Sequence, residues 1–231
     1  MGDDIHYASN HDFVGIEFSI HGMLDGRVRV GMPGKFNADN ALAALAVCTL
    51  ALSGGSGVLD DHTKQAILGS LVKVRVDGRM EIAHVSKKCS VIVDYAHNAV
   101  SMESLLTTLR DYHPNRLVCV FGCGGNRARD RRYSMGEIGG KMADLCIITA
   151  DNPRFEKNED IIKDIEVGLA KTDGTYLVIP DRREAIFYAI RNAEEGDMIA
   201  IIGKGHEDYQ EIEGVKHHFL DREVVEEAVK G

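Results

Sequence analysis

An α/β fold with a mostly parallel sheet is predicted by two observations. From about residue 90 onward, short apolar runs alternate with longer segments of helical character, and each run is bounded by glycine or by turn-forming polar residues. Short continuous apolar runs of that kind read as strands buried on both faces. Strands separated by helices need right-handed crossovers, which produce a mostly parallel sheet covered on both sides. The predicted strands are 91–95, 117–121, 145–150, 176–179 and 198–202, and the predicted helices are 102–112, 133–143, 159–170, 183–194 and 222–229. A late hairpin is predicted over 210–219, with Glu213-Gly214 at its turn.

The N-terminal third reads differently. Val14, Ile16, Phe18 and Ile20 alternate with other residues, and Val28, Val30 and Met32 do so again after Asp25-Gly26, which is a hairpin pattern. Pro33-Gly34 ends it. The alanine- and leucine-rich stretch 38–52 predicts a buried helix, and Asn37 falls where a helix cap is expected. Gly54-Gly55-Ser56-Gly57 predicts a loop, and 60–71 a second helix with an acidic first turn. Residues 73–80 follow neither period and are the expected interdomain linker.

The chain has 231 residues, 44 % of them apolar, and a net charge of −9. That charge argues against general nucleic-acid binding and against an anionic membrane surface. The five cysteines are odd in number and form no C-x-x-C pair, so buried, reduced thiols of a cytosolic protein are expected. No apolar run approaches the length of a membrane span, and the N-terminus shows no charged-then-apolar signal pattern.

The chemistry-bearing residues lie just past predicted strands. Asp151-Asn152-Pro153-Arg154 follows the run 145–150. Asn-Pro forces a turn there, which presents Arg154 at the edge where open α/β sheets bind ligands. A guanidinium so held is a bidentate partner for a carboxylate. Gly122-Cys123-Gly124-Gly125-Asn126-Arg127 follows 117–121. It begins like a dinucleotide fingerprint but has Arg127 where the third glycine is required, leaving a tight turn or an anion-binding loop as the alternatives. Gly203-Lys204-Gly205-His206-Glu207 follows 198–202 and lacks P-loop spacing, while Gly139-Gly140-Lys141 lies in a helical pattern and is a decoy. Asp94 and His97 end another strand, and Arg79 lies in the predicted linker. A parallel sheet brings these loops to one edge, where two arginines and a glutamate could clamp a zwitterion.

The ordered set 36–44, Gly78-Arg79-Met80-Glu81, Asp94-Tyr95-Ala96-His97, 121–125, Asp151-Asn152-Pro153-Arg154 and 203–210 resembles the Mur ligases, and within them those that add diaminopimelate. The resemblance runs from about Phe13 to the C-terminus. It implies a Rossmann-like C-terminal domain at 76–231, preceded at 1–75 by part of a central ATP-binding domain. It implies an ATP- and Mg2+-dependent amide synthesis in peptidoglycan assembly, with an acyl-phosphate intermediate, in the cytoplasm and without nucleic-acid or membrane partners. By the same resemblance Asn37 and Asn40 face the adenine, Arg79 the phosphates, Asp94 the ribose, and His97 the nucleotide. Arg127, Asp151, Asn152, Arg154, Gly203 and Glu207 match the diaminopimelate pocket. Arg154 favours diaminopimelate over lysine, since only the former carries a distal carboxylate.

Departures from the family pattern are Asp77 and Asn98-Ala99 where proline-containing sequences are usual, and the basic run 127–132 without its following proline. The P-loop, the modified lysine and the metal-binding residues of the family have no counterpart in these 231 residues. The chain alone is therefore expected not to turn over ATP, which a phosphate-release assay checks, and 1–75 is expected to leave an apolar face and a strand edge uncovered. Two other readings are a non-catalytic amino-acid-binding module of the same fold, and an oxidoreductase using the Gly122 turn for NAD.

Overall fold

In the computed structural model, which describes residues 2–22 and 24–231, the chain forms two compact units, one ending at Arg75 and the other running from Val76 to Gly231.

In the first unit, β1 (Gly2–Asn10), β2 (Phe13–Ile20) and β3 (Gly26–Val30) form an antiparallel sheet in that order. The predicted hairpin is β2–β3, with Ile16 opposite Val30 and Phe18 opposite Val28. All four side chains are buried, together with Ala38, Ala41 and Leu45 of α1 (Phe36–Leu52) and Leu68 of α2 (Asp61–Ser70). β1 has no sequence signature, because its acidic start breaks the two-residue alternation. It forms by backbone pairing to β2, from Asn10 opposite Phe13 to Gly2 opposite Ile20. Asp60 caps α2 by accepting the Thr63 N–H at 2.9 Å.

Asn37 is not the cap expected from the sequence. The helix begins earlier, because Gly34, at φ 98°, turns its carbonyl to accept the Asn37 N–H at 3.0 Å. Lys35 takes the cap position with no side-chain bond. Asn37 lies buried in the first turn, its Nδ2 donating to the Pro33 carbonyl at 2.7 Å and its Oδ1 accepting from Asn40 Nδ2 at 3.0 Å. From Ala41 onward α1 is apolar on nearly every side, with Thr49 the exception, and Val47 and Leu52 on it are 66 % and 62 % exposed. A helix of that composition normally has all its faces covered.

The second unit carries a six-stranded sheet of β4 (Glu81–Val85), β5 (Cys89–Asp94), β6 (Leu117–Phe121), β7 (Leu145–Ile148), β8 (Tyr176–Val178) and β9 (Asp197–Ile202), ordered β4-β5-β9-β6-β7-β8. All neighbours are parallel except β4, which runs antiparallel along β5. β4 is the strand the sequence does not announce: it is an edge strand with a register shift between Ile82 and His84. The helices α3 (Ala99–Arg110), α4 (Arg129–Met142), α5 (Asn158–Leu169), α6 (Arg182–Arg191) and α7 (Asp221–Ala228) complete the unit. A core of β-branched strand residues, including Val91, Val93, Val120, Ile147, Ile199 and Ile201, packs against α6 and α7. The last long strand, β9, is inserted between β5 and β6. The strand order therefore reverses at the centre of the sheet, where such folds open a crevice at the carboxyl ends.

Two helices start before their apolar pattern does. Asn98 and Ser101 form a capping box that begins α3 at Ala99, and α4 begins within the charged run at Arg129. Asn98→Ala is expected to cost on the order of 1 kcal/mol, read as a midpoint lower by roughly 2–4 °C. The hairpin of β10 (Tyr209–Ile212) and β11 (Val215–His218) turns at Glu213 and Gly214, with φ of 51° and 79°. Positive φ at both positions is the turn whose twist matches paired strands.

Candidate functional site

In the second unit, the loops that follow β5, β6, β7 and β9 line a half-open cavity of about 190 Å3. The four loops supply Tyr95 and His97, then Gly122, Cys123, Gly124 and Arg127, then Asp151, Asn152 and Arg154, then Gly203 and Glu207.

The β6 loop needs glycine for close approach rather than for a pyrophosphate. A Cβ on Gly125 would stand 1.9 Å from the Pro153 carbonyl, and one on Gly122 would stand 2.2 Å from that of Thr149. The loop is thus pressed backbone to backbone against the β7 loop, and the Gly125 N–H donates to the Asn152 carbonyl at 2.8 Å. Arg132, buried at the start of α4, fixes the other side. Its Nη2 and Nη1 reach Glu156 Oε1 at 2.8 Å and Asp164 Oδ2 at 2.9 Å. Arg127 and Arg131, by contrast, line the cavity with no ion-pair partner among the described residues. The sequence reading singled out Arg127 and missed Arg131, which sits one helical turn further along.

Arg154 adopts φ 53°, a region that non-glycine residues occupy at a cost. The β10–β11 hairpin holds it there: the Arg154 N–H donates to the Glu211 carbonyl at 3.0 Å, and the Glu213 N–H donates to the Arg154 carbonyl at 2.7 Å. The guanidinium is half engaged, with Nη1 on the Gly125 carbonyl at 2.8 Å and Nε on Glu211 Oε2 at 3.3 Å. An arginine has five N–H donors in a rigid fork, so the outer edge is left for a ligand carboxylate.

Opposite stands Glu207. Its Oε2 accepts from Asn152 Nδ2 at 2.8 Å, and its Oε1 accepts from the Tyr95 hydroxyl at 3.2 Å. Beneath it the Lys204 side chain is fully buried, with Nζ donating to the Tyr209 carbonyl and lying 3.5 Å from Glu207 Oε2. Burial pulls the Lys204 pKa down, against the pull of Asp151 in the other direction. Gly203, at φ 112°, passes so close that a Cβ would meet Asp151 Oδ2 at 2.5 Å. The cavity is therefore an arginine wall facing a carboxylate whose orientation is set by three neighbours. Lys204, in a quoted motif but given no role, is the residue whose burial the sequence did not reveal.

Of the remaining predicted residues, His97 is in the cavity lining and the others are not. Asp94 does not line the cavity: its two oxygens accept the Met80 and Ala96 N–H groups at 2.7 Å each. Burial raises its pKa, and those two hydrogen bonds pull it back. Arg79 is exposed over the Tyr95 ring, 5.0 Å from its centroid, and His97 lies 4.9 Å from the same ring. Asn37 and Asn40 belong to the first unit. Cys123 lines the cavity, but burial, with Asp151 nearby, pushes its thiol up to about 12. Cys146 is pushed to about 12 by burial alone. Native alkylation at neutral pH is expected to modify exposed Cys48 and spare the four buried thiols, as intact mass would show.

The family model for the Mur ligase glutamate ligase domain matches residues 78–205. The chain belongs to the Mur ligase family. Two curated UDP-N-acetylmuramoyl-L-alanyl-D-glutamate–2,6-diaminopimelate ligases resemble this Mur ligase domain. The one from Clostridioides difficile is 44 % identical over 87 % of the chain and 40 % of its own length. The one from Aquifex aeolicus is 46 % identical over 86 % of the chain and 39 % of its own length. A solved structure of a ligase with that name superposes with a TM-score of 0.75 at 34 % identity, covering 99 % of this chain and 45 % of the other. The chain spans about two fifths of the length of the curated relatives it matches.

Proposed function

We propose that this chain carries the acceptor-binding portion of an ATP-dependent ligase that joins meso-diaminopimelate to UDP-N-acetylmuramoyl-L-alanyl-D-glutamate in the cytoplasm. The carrying observation is the cavity of Arg127 and Arg154 facing a fixed Glu207. In this reading Arg154, Arg127 and Asn152 take the distal carboxylate, while Glu207, Asp151 and the Gly203 backbone take the ammonium beside it. The other amine is left to attack. ATP supplies the activation, converting the dipeptide carboxylate to an acyl phosphate; the amine displaces phosphate from it and an amide forms. This chain's own part is to hold and orient the nucleophile, a positioning effect of the kind that makes a bimolecular step effectively unimolecular. The names of the relatives over 86–87 % of the chain support the substrate assignment.

Arg79, Asp94 and His97 are proposed to face the nucleotide. An exposed cation and a flat ring at Tyr95 suit a phosphate and a planar group, and the Asp94 oxygens, each holding one N–H, keep lone pairs for a hydroxyl. Among the described residues no three His, Cys, Asp or Glu side chains converge to hold a metal ion. The Mg2+ that accompanies ATP is proposed to be held by the rest of the ligase.

The test is a 15N NMR titration of the chain with meso-diaminopimelate and, separately, with lysine. Amide shifts in the β6, β7 and β9 loops for diaminopimelate alone are expected. Equal responses to both amino acids, or none to either, would overturn the assignment of the pocket.

A further inference from the structure

Arg182 and Asp221 open α6 and α7, and both are fully buried. Arg182 Nε donates to Asp221 Oδ1 at 2.7 Å and Nη2 to Oδ2 at 2.8 Å. The same guanidinium continues to two main-chain carbonyls: Nη1 to Ala150 at 3.2 Å and Nη2 to Ile202 at 3.0 Å. Ala150 lies just past β7 and Ile202 ends β9. Those strands are not neighbours, since β6 runs between them. The guanidinium therefore spans the mouth of the sheet below the cavity, where the β6 chain turns away at Gly122. The next residues outward are Asp151-Asn152 on one side and Gly203 on the other, and all three line the cavity.

We infer that Arg182 and Asp221 are a positioning pair that sets the spacing between the β7 and β9 loops, and with it the fit of the acceptor between Arg154 and Glu207. The identity of that acceptor rests on the function proposed above. Stability does not account for the pair by itself: two buried charges can often be replaced by apolar groups of similar size with no loss, or with a gain. An apolar pair cannot hold carbonyls from two non-adjacent strands at a set distance, whereas the planar fork of arginine does so. The loops above it meet through hydrogen bonds that tolerate little movement, Asn152 Nδ2 to Glu207 at 2.8 Å and the Glu211 N–H to Asn152 Oδ1 at 2.9 Å. Binding sites of this kind lose function when supporting groups shift by about 1 Å.

The test is the double variant Arg182→Met/Asp221→Leu, compared with Arg182→Lys, which keeps the charge but loses the fork. The readouts are the thermal midpoint, the Asn152 side-chain amide and Glu211 backbone resonances, and meso-diaminopimelate affinity by titration. The double variant is expected to melt well above either single variant, yet to move both resonances and weaken diaminopimelate about tenfold or more. Arg182→Lys is expected to move the same resonances. A double variant with parental resonances and parental affinity would overturn the inference. If the parent chain shows no diaminopimelate response, the proposed acceptor fails, while the Asn152 and Glu211 resonances still decide the role of the pair. If the double variant does not fold, Arg182→Lys decides on those resonances alone.

Discussion

Arg182→Met alone, or Asp221→Leu alone, is expected to cost about 3–5 kcal/mol, lowering the midpoint of the second unit by roughly 6–20 °C. Either change leaves one fully buried charge without the counter-charge it hydrogen-bonds, because both side chains have 0 % exposure. Arg182→Met also strips the donors from the Ala150 and Ile202 carbonyls. The double variant removes both charges and is expected to cost far less than the two single changes together, so the cycle reports a large coupling. A chain of two compact units need not melt in one step. The cost is therefore best read by hydrogen exchange at β5 and β9 amides, whose residues are buried throughout. Single-variant costs that simply add in the double variant would mean that the pair is not coupled.

Arg154→Ala is expected to lose about 2–5 kcal/mol of diaminopimelate binding, a factor of roughly 30 to several thousand, while barely changing the response to lysine. The difference between the two ligands is one carboxylate, and Arg154 presents the outer edge of its fork to the cavity. Some loss would come from disorder, because the side chain also braces the Gly125 carbonyl and Glu211. Arg154→Lys separates the two effects. It keeps the positive charge and loses the bidentate geometry, so an intermediate affinity is expected. Calorimetric or NMR affinities for both ligands on both variants are the measurement. If diaminopimelate and lysine weaken in parallel on Arg154→Ala, the residue braces the loop and reads no carboxylate.

Much of the site could be read from the chain. The turn signals after each apolar run placed Arg127, Asp151, Asn152, Arg154, Gly203 and Glu207 past parallel strands, and all six line one cavity. Asp94 shows the limit of that reasoning. It ends a strand as expected, yet it does not line that cavity, because its oxygens turn to the Met80 and Ala96 N–H groups, and no sequence pattern records which carboxylate at a strand end faces which space. The helices start at Phe36, Ala99 and Arg129, two to four residues before their apolar patterns, because capping depends on carbonyl positions and polar or charged first turns, not on apolar period. β1 and β4 lacked a pattern because edge strands form by backbone pairing to a neighbour already in place.

What the sequence by itself determined was the alternation of buried strands and covering helices, the family, and the set of residues delivered to one edge of the sheet. These follow from local chemistry: apolar period, the turn preferences of Asn-Pro and glycine, and motif order. Tertiary structure alone decided which charges face the cavity and which are consumed beneath it. Arg127 and Arg131 point to a ligand-sized space, while Arg132, Arg182 and Lys204 are buried within a few residues of them or below them. The physical reason is that a buried charge must find its partner, and Glu156, Asp164 and Asp221 lie 24, 32 and 39 residues from the arginines they neutralise. Pairing over such separations is set by how the helices dock on the sheet, which no local pattern records.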